Sequence, residues 1–199
     1  EPKKIIETVT NTLNKVVSAD IGLEACGITN QRETTIVWSK STGEAIYPGI
    51  VWQDRRTHEY CTYLKSNGHE TIIKEKTGLL LDPYFSATKI KWILDNVDGA
   101  REKASKGELL FGTVDSYLIY MLSEEKNHFT DVTNASRTLL FNIKSMEWDD
   151  ELLELFEIPK TMMPEVLSCD GDFGNLKIND CEIPIRGVIG DQQLSLIHI

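Results

Sequence analysis

Residues 185–193 read Ile185-Arg186-Gly187-Val188-Ile189-Gly190-Asp191-Gln192-Gln193, an apolar run that passes without a spacer into a polar tetrad. Ile185, Val188 and Ile189 are β-branched and predict a strand, so Gly190 to Gln193 stand at its carboxyl end. An earlier stretch has the same arrangement. Ala25 to Thr29 is a short apolar run that ends in the polar cluster Thr29-Asn30-Gln31-Arg32-Glu33. In open α/β sheets, ligands gather beyond the carboxyl ends of the strands. If these two strands are neighbours, Arg32, Glu33, Asp191 and Gln192 meet in one place.

Working outward, residues 4–17 place Ile5, Ile6, Val9, Leu13, Val16 and Val17 at helical spacing, with Pro2 suited to a first turn. After Ser18-Ala19-Asp20 that pattern ends. Thr34 to Trp38 predicts a strand, and Ala45 to Trp52 another, interrupted at Pro48-Gly49. Arg55 to Asn96 reads as helix in three pieces, broken at Asn67-Gly68 and at Thr77 to Pro83. Leu109 to Gly112 predicts a strand feeding a helix over Thr113 to Leu122. Thr138 to Ile143 is strand-like, and a further helix begins at Trp148-Asp149. Strands alternating with helices, with no repeat or low-complexity linker, predict an α/β domain.

The bulk properties narrow the function classes. The chain has 199 residues, 41% of them hydrophobic, enough for one sizeable core. Its 21 basic residues against 31 acidic ones leave a net charge of −10, and the basic residues form no stripe. That argues against nucleic acid or an anionic membrane surface as partner. No apolar stretch approaches the roughly 20 residues needed to span a bilayer, and nothing behind Glu1-Pro2-Lys3-Lys4 resembles a signal-peptide core. Cys26, Cys61, Cys169 and Cys181 lie far apart without a CxxC pair, which reads as reduced thiols in a cytosolic protein. The sequon Asn134-Ala135-Ser136 carries no weight without a secretory signal. His58, His69 and His128 sit in polar contexts and read as surface residues.

The set Arg32, Glu33, Asp191 and Gln192 suits a polyol. Each hydroxyl is donor and acceptor at once, so carboxylates accept from it while guanidinium and amide protons donate to it. Charge-assisted bonds of this kind are the stronger and more directional ones, and a carboxylate beside a hydroxyl can serve as its general base. Judged singly, each piece has a blander reading. An Arg-Glu dipeptide is ordinarily a solvated pair, Gly-Asp-Gln-Gln a turn or cap, and Trp52 and Tyr84 core or rim residues. The chain has no GxxxxGK[ST], GxGxxG or HExxH string. Composition and spacing alone stop at a soluble α/β domain with a polar pocket.

A resemblance goes further. Gly27-Ile28-Thr29-Asn30-Gln31-Arg32-Glu33-Thr34 is similar to a string carried by glycerol kinases. In order along the chain, Ile50-Val51-Trp52-Gln53-Asp54-Arg55-Arg56, then Thr77-Gly78, then Asp82-Pro83-Tyr84-Phe85-Ser86 resemble further segments of that family. Tyr84 to Asn96 is similar to the broad signature of the FGGY carbohydrate kinases, and Thr130 to Leu139 and Gly190 to Gln193 complete the series. The resemblance implies an α/β domain of the ribonuclease-H-like (actin-like ATPase) type. It also implies ATP-dependent phosphorylation of glycerol to glycerol 3-phosphate, with ATP and Mg²⁺, in a cytoplasmic and homo-oligomeric parent enzyme. The matching residues imply roles as well: Arg32, Glu33, Tyr84, Asp191 and Gln192 hydrogen-bond glycerol hydroxyls, Trp52 packs on its carbon skeleton, and Asp191 is the general base. Alternatives are another FGGY sugar or polyol kinase, and a non-catalytic polyol-binding or actin-like module.

Three departures from the family pattern shape the domain expectation. The resemblance begins after the family's DQGT-type phosphate turn and stops just past Gln193, before the ATP-binding domain. Residues 1–193 are therefore expected to be a glycerol-binding N-terminal domain without its first strands, and no nucleotide-binding residue is assigned. Leu194 to Ile199 leaves the pattern and matches the in-frame translation of a sequencing-library adapter, so this tail is expected to be non-native and His198 functionless. Expressed alone, such a piece is expected to be poorly soluble, because open sheet edges promote aggregation, and inactive.

Overall fold

The computed structural model describes residues 1–17, 23–179 and 181–196. The change of pattern at Ser18-Ala19-Asp20, the end of the 194–199 tail and His198 lie outside the described residues. The chain opens with helix α1 (Pro2–Val17) and strands β1 (Cys26–Asn30) and β2 (Ile36–Ser39). Helices α2 (His58–Ser66), α3 (Glu70–Thr77), α4 (Ser86–Asn96) and α5 (Ala100–Ser105) follow, then β3 (Leu109–Gly112) and α6 (Val114–Leu122). Shorter elements come next: β4 (Phe129–Asp131), α7 (Val132–Ala135), the pair β5 (Phe141–Asn142) and β6 (Glu147–Trp148), and α8 (Asp150–Leu155). After a 3-10 turn at Lys160–Met162 come β7 (Glu165–Leu167), β8 (Asn175–Ile178), β9 (Cys181–Gly190) and α9 (Asp191–Leu196).

The antiparallel β2–β3 ribbon explains why Ile36-Val37-Trp38 is apolar without alternation. Successive side chains leave a strand on opposite faces, and here both faces are buried. Val37, Leu109 and Phe111 join a core built with α2 to α5 and α8. Ile36, Trp38 and Leu110 join a second core with α6, β8 and β9. The apolar face of α1, with Ile5, Ile6, Val9, Leu13 and Val17, packs on the second core. Pro2 is buried in its first turn, where a missing N–H costs nothing.

Strands β1 and β9 run parallel, with Asn30 level with Gly190, and β8 adds antiparallel to the far side of β9. The two strands that the sequence could only suppose to be neighbours are hydrogen-bonded to one another. Among the described residues β9 is the central strand of this sheet, and β1 and β8 are its two outer strands.

Some expected elements differ. Ala45 to Trp52 forms no strand. It follows β2 through isolated bridges, Ala45 to Trp38 and Ile50 to Thr35, because Pro48 has no N–H to continue a ladder. In Thr138 to Ile143 only Phe141–Asn142 pairs, since Leu139 takes a φ of 64°, outside the β region. Helix α5 and strand β8 were not anticipated, although Leu176 and Ile178 alternate with polar neighbours and are buried as a half-covered strand requires. His58 is exposed and His69 half-buried, but His128 is not a surface residue. Its ring stands edge-on to Trp38, 5.4 Å between centroids, and Nε2 lies 2.7 Å from the Phe111 carbonyl. A carbonyl only accepts, so Nε2 carries the proton. Burial pulls the imidazole down to about 4.

Candidate active site

The parallel register of β1 and β9 brings two loops together that are 160 residues apart in the chain. Beyond β1, Arg32 turns inward and is only 2% exposed. Its Nη1 donates to Gln193 Oε1 at 2.9 Å and its Nη2 to Gln192 Oε1 at 2.5 Å. Its Nε faces Asp191 Oδ1 at 3.6 Å without a hydrogen bond. A buried guanidinium is tolerable only when paired and hydrogen-bonded. Arg32 meets that condition by holding the start of α9 against the end of β1.

Gly190 makes this packing possible. A Cβ there would stand 2.1 Å from Arg32 Cδ, so only glycine lets the guanidinium stem cross the end of β9.

Glu33 is equally buried. Its Oε1 accepts from Arg137 Nε at 2.9 Å and lies 3.7 Å from Arg32 Nη2. Arg137 stands over the rings of Tyr84 and Phe85, 5.9 and 4.9 Å from their centroids. Tyr84 in turn meets Trp52 at 5.8 Å between ring centroids. Trp52 is 42% exposed, a large ring presented to solvent beside buried charges. Burial, then the nearby Glu33 carboxylate, pushes the Tyr84 phenol up, so it stays protonated and able to donate. Asp191 is the open member: its side chain is 52% exposed and its Oδ1 accepts from the Gln192 backbone N–H at 2.8 Å.

All six residues singled out from the sequence thus join one chain of contacts: Trp52, Tyr84, then through Arg137 to Glu33, Arg32, and Asp191 with Gln192. Arg137 was not singled out, although it lies in the quoted string Thr130 to Leu139. A lone Arg after a Ser gives no sign of its partner; only the fold brings Glu33 to it.

A buried polar network braces the strand ends from below. Asn30 donates to Asn134 Oδ1 at 2.9 Å and to Asp115 Oδ1 at 3.2 Å. Asn134 donates to Asp131 Oδ1 at 2.7 Å. Asp131 caps α7 by accepting from the Thr133 and Asn134 N–H groups, and the Thr133 hydroxyl oxygen accepts the Gly190 N–H at 2.8 Å. Asp115 accepts from the Thr113 and Thr130 hydroxyls. Its burial outweighs those bonds and pushes the carboxyl up to about 6. Asn134 is fully buried, so the sequon has a structural occupant and no accessible acceptor.

A charge-paired Arg and Glu, an exposed carboxylate and an adjacent aromatic face thus stand together at the carboxyl ends of β1 and β9. Residues 1–198 match the FGGY family of carbohydrate kinases, N-terminal domain. The chain belongs to that family. Glycerol kinase 1 of Pseudomonas aeruginosa is 58% identical over 182 residues, which cover 90% of this FGGY chain and 36% of that protein. The glycerol kinase of Alteromonas mediterranea is 56% identical over 204 residues, 99% of this chain and 41% of that one. The chain therefore spans about two fifths of the length of these curated relatives. Among solved structures, Plasmodium falciparum glycerol kinase with ADP superposes with a TM-score of 0.95 at 36% identity, covering 99% of this chain and 41% of that one. A xylulose kinase from Lactobacillus acidophilus has a TM-score of 0.87 at 23% identity, over 99% of this chain and 40% of its own, a likeness of fold. The mixed α/β architecture is that of the FGGY kinases, the actin-like, ribonuclease-H-like type. Among the described residues no helix is long and apolar enough to cross a membrane.

Proposed function

We propose that this chain is the glycerol-binding part of an ATP-dependent glycerol kinase that makes glycerol 3-phosphate in the cytoplasm, as a homo-oligomer. The observation that carries the reading is the parallel pairing of β1 with β9, which brings Arg32-Glu33 and Asp191-Gln192 together. The identity of 52 to 58% to relatives named glycerol kinase supports glycerol as the polyol. ATP binding and the ATP-binding domain are assigned to sequence outside residues 1–193, and residues 194–199 are given no role.

On this reading the residues divide the work by chemistry. Glycerol offers apolar CH faces to Trp52 and hydroxyls to Tyr84, Glu33, Arg32 and Gln192. Glu33 has one carboxylate oxygen on Arg137 and the other for a hydroxyl. Asp191 lies near the Arg32 cation without a hydrogen bond to it, so its lone pairs serve the attacking hydroxyl. It orients that oxygen and takes its proton as the phosphoryl group arrives. Most of the acceleration in such a transfer comes from positioning. When bound with ATP, Mg²⁺ would supply neutralisation of phosphate charge.

The test is a substrate screen of the full-length protein with ATP and glycerol, xylulose or gluconate. Glycerol should have the highest kcat/KM. A preference for either sugar acid or ketose would replace the reading with another FGGY kinase, and glycerol binding without turnover would replace it with a polyol-binding module. Residues 1–199 alone should give no glycerol 3-phosphate.

A further inference from the structure

Lys89 has no part in the roles above, yet its side chain is fully buried in α4, against the Glu33 and Tyr84 loops. A buried ammonium is costly unless it is hydrogen-bonded, and an apolar side chain would fill a helix interior as well. The partners of Lys89 explain its presence. Nζ donates to the Glu33 carbonyl at 2.8 Å and to the Tyr84 carbonyl at 2.7 Å. These carbonyls belong to separate loops, one following β1 and the other leading into α4. They are also the main-chain carbonyls of the two residues, Glu33 and Tyr84, to which the proposed function gives hydroxyls of one polyol. The carboxylates of Glu33, Asp54 and Asp82 favour the charged form, but burial outweighs them and pulls the ammonium down to about 8.

We propose that Lys89 is a positioning residue: its ammonium ties the Glu33 loop to the Tyr84 loop and so sets the gap in which the polyol is held. A single cation with diverging N–H bonds can hold two carbonyls at fixed separation, which neither a hydroxyl nor an apolar side chain can do at this depth. Glu33 is then held at both ends, by Lys89 at its carbonyl and by Arg137 at its carboxylate. The inference rests on Glu33 and Tyr84 being substrate residues.

The experiment uses the full-length protein with Lys89→Met, which keeps length and loses donors, and Lys89→Arg, which keeps donors. Lys89→Met should raise the KM for glycerol about 10- to 100-fold, the scale of one lost charge-assisted hydrogen bond, with kcat per folded molecule within about threefold on the same scale. Lys89→Arg should recover part of that loss. With Tyr84→Phe in the background the effect of Lys89→Met should shrink, because the group being positioned is gone. Hydrogen exchange gives a readout that needs no turnover. The amides of residues 33–35 and 82–86 should exchange faster in Lys89→Met while those inside α4 do not. If Lys89→Met does not fold, Lys89→Leu, which also lacks donors, takes its place in every arm. An unchanged KM with lower kcat, effects that multiply with Tyr84→Phe, or faster exchange throughout α4 would overturn the proposal. Should the wild type prefer xylulose or gluconate, the glycerol reading fails, and Lys89 is judged by the KM of that substrate. With no turnover at all, the exchange pattern decides.

Discussion

Replacing Gly190 with alanine adds one methyl group at the point where Arg32 crosses the end of β9. Gly190 does not adopt a left-handed φ, so its backbone accepts alanine. Taken alone, the change would stabilise the fold by about 0.4–1 kcal/mol through the lower entropy of the unfolded chain. The surroundings reverse that sign. The new Cβ would meet Arg32 Cδ at 2.1 Å and Cγ at 2.7 Å, where ordinary contact begins at 3.4 Å. Arg32 must therefore withdraw by about 1.3 Å, the difference between 3.4 and 2.1 Å. It is 2% exposed and held by Gln192 and Gln193, so it cannot move without stretching those bonds. Overpacking costs about 1–3 kcal/mol, and a lost hydrogen bond to a charged group about 1.5–3 kcal/mol. We expect a net loss of about 1–4 kcal/mol in urea unfolding, and a glycerol KM in the full-length protein raised at least about tenfold. On an Arg32→Ala background the same change should cost little, because the clashing stem is gone. A Gly190→Ala protein as stable as the wild type with an unchanged KM would refute the reasoning.

Three further outcomes are expected. Asp191→Asn should lower turnover by about 100-fold or more while glycerol binding stays nearly unchanged, whereas Arg32→Ala should weaken binding by about 1.5–3 kcal/mol; calorimetry with steady-state kinetics separates the two, and equal losses of binding alone would count against Asp191 as base. Asn134→Ala strips partners from Asn30 and Asp131 in the buried network and should cost about 2–3 kcal/mol by urea unfolding; a loss below about 0.5 kcal/mol would show that water replaces them. His128, held near 4 when folded against about 6.5 when unfolded, takes up its proton more readily in the unfolded chain, so its contribution is present above pH 6.5 and is lost as pH falls toward 4, by about 3 kcal/mol in all. Asp115, pushed up to about 6, acts in the opposite sense over an overlapping window, so the His128 part is the difference between wild type and His128→Gln, and parallel stability curves for the two would disprove it.

Much of the local structure could be read from residue order. The period of α1, the breaks at Asn67-Gly68 and before Ser86, and the strand that ends at Gly190 depend on side chains close in sequence, and the structure places those elements as expected. The residues of the site were legible as types: an Arg, a Glu, an Asp and a Gln after two apolar runs, and a Trp and a Tyr through the resemblance. Where pairing partners decide, the reading failed. Ala45 to Trp52 has strand residues but Pro48 denies it a ladder. His128 follows the polar run Glu124 to Asn127 in sequence, but in space it stands against Trp38 and Tyr120.

The sequence by itself determined which residues of this FGGY chain make up the proposed polyol site and which short elements carry them, because propensity and pattern act over a few residues. Only the tertiary structure decided that β1 lies beside β9, that Arg137 reaches Glu33, and that Lys89 joins two loops from beneath. These are hydrogen bonds and ion pairs between groups far apart in the chain, and their strength depends on exclusion of water. Burial is a property of the whole packed domain, which no local stretch of residues specifies.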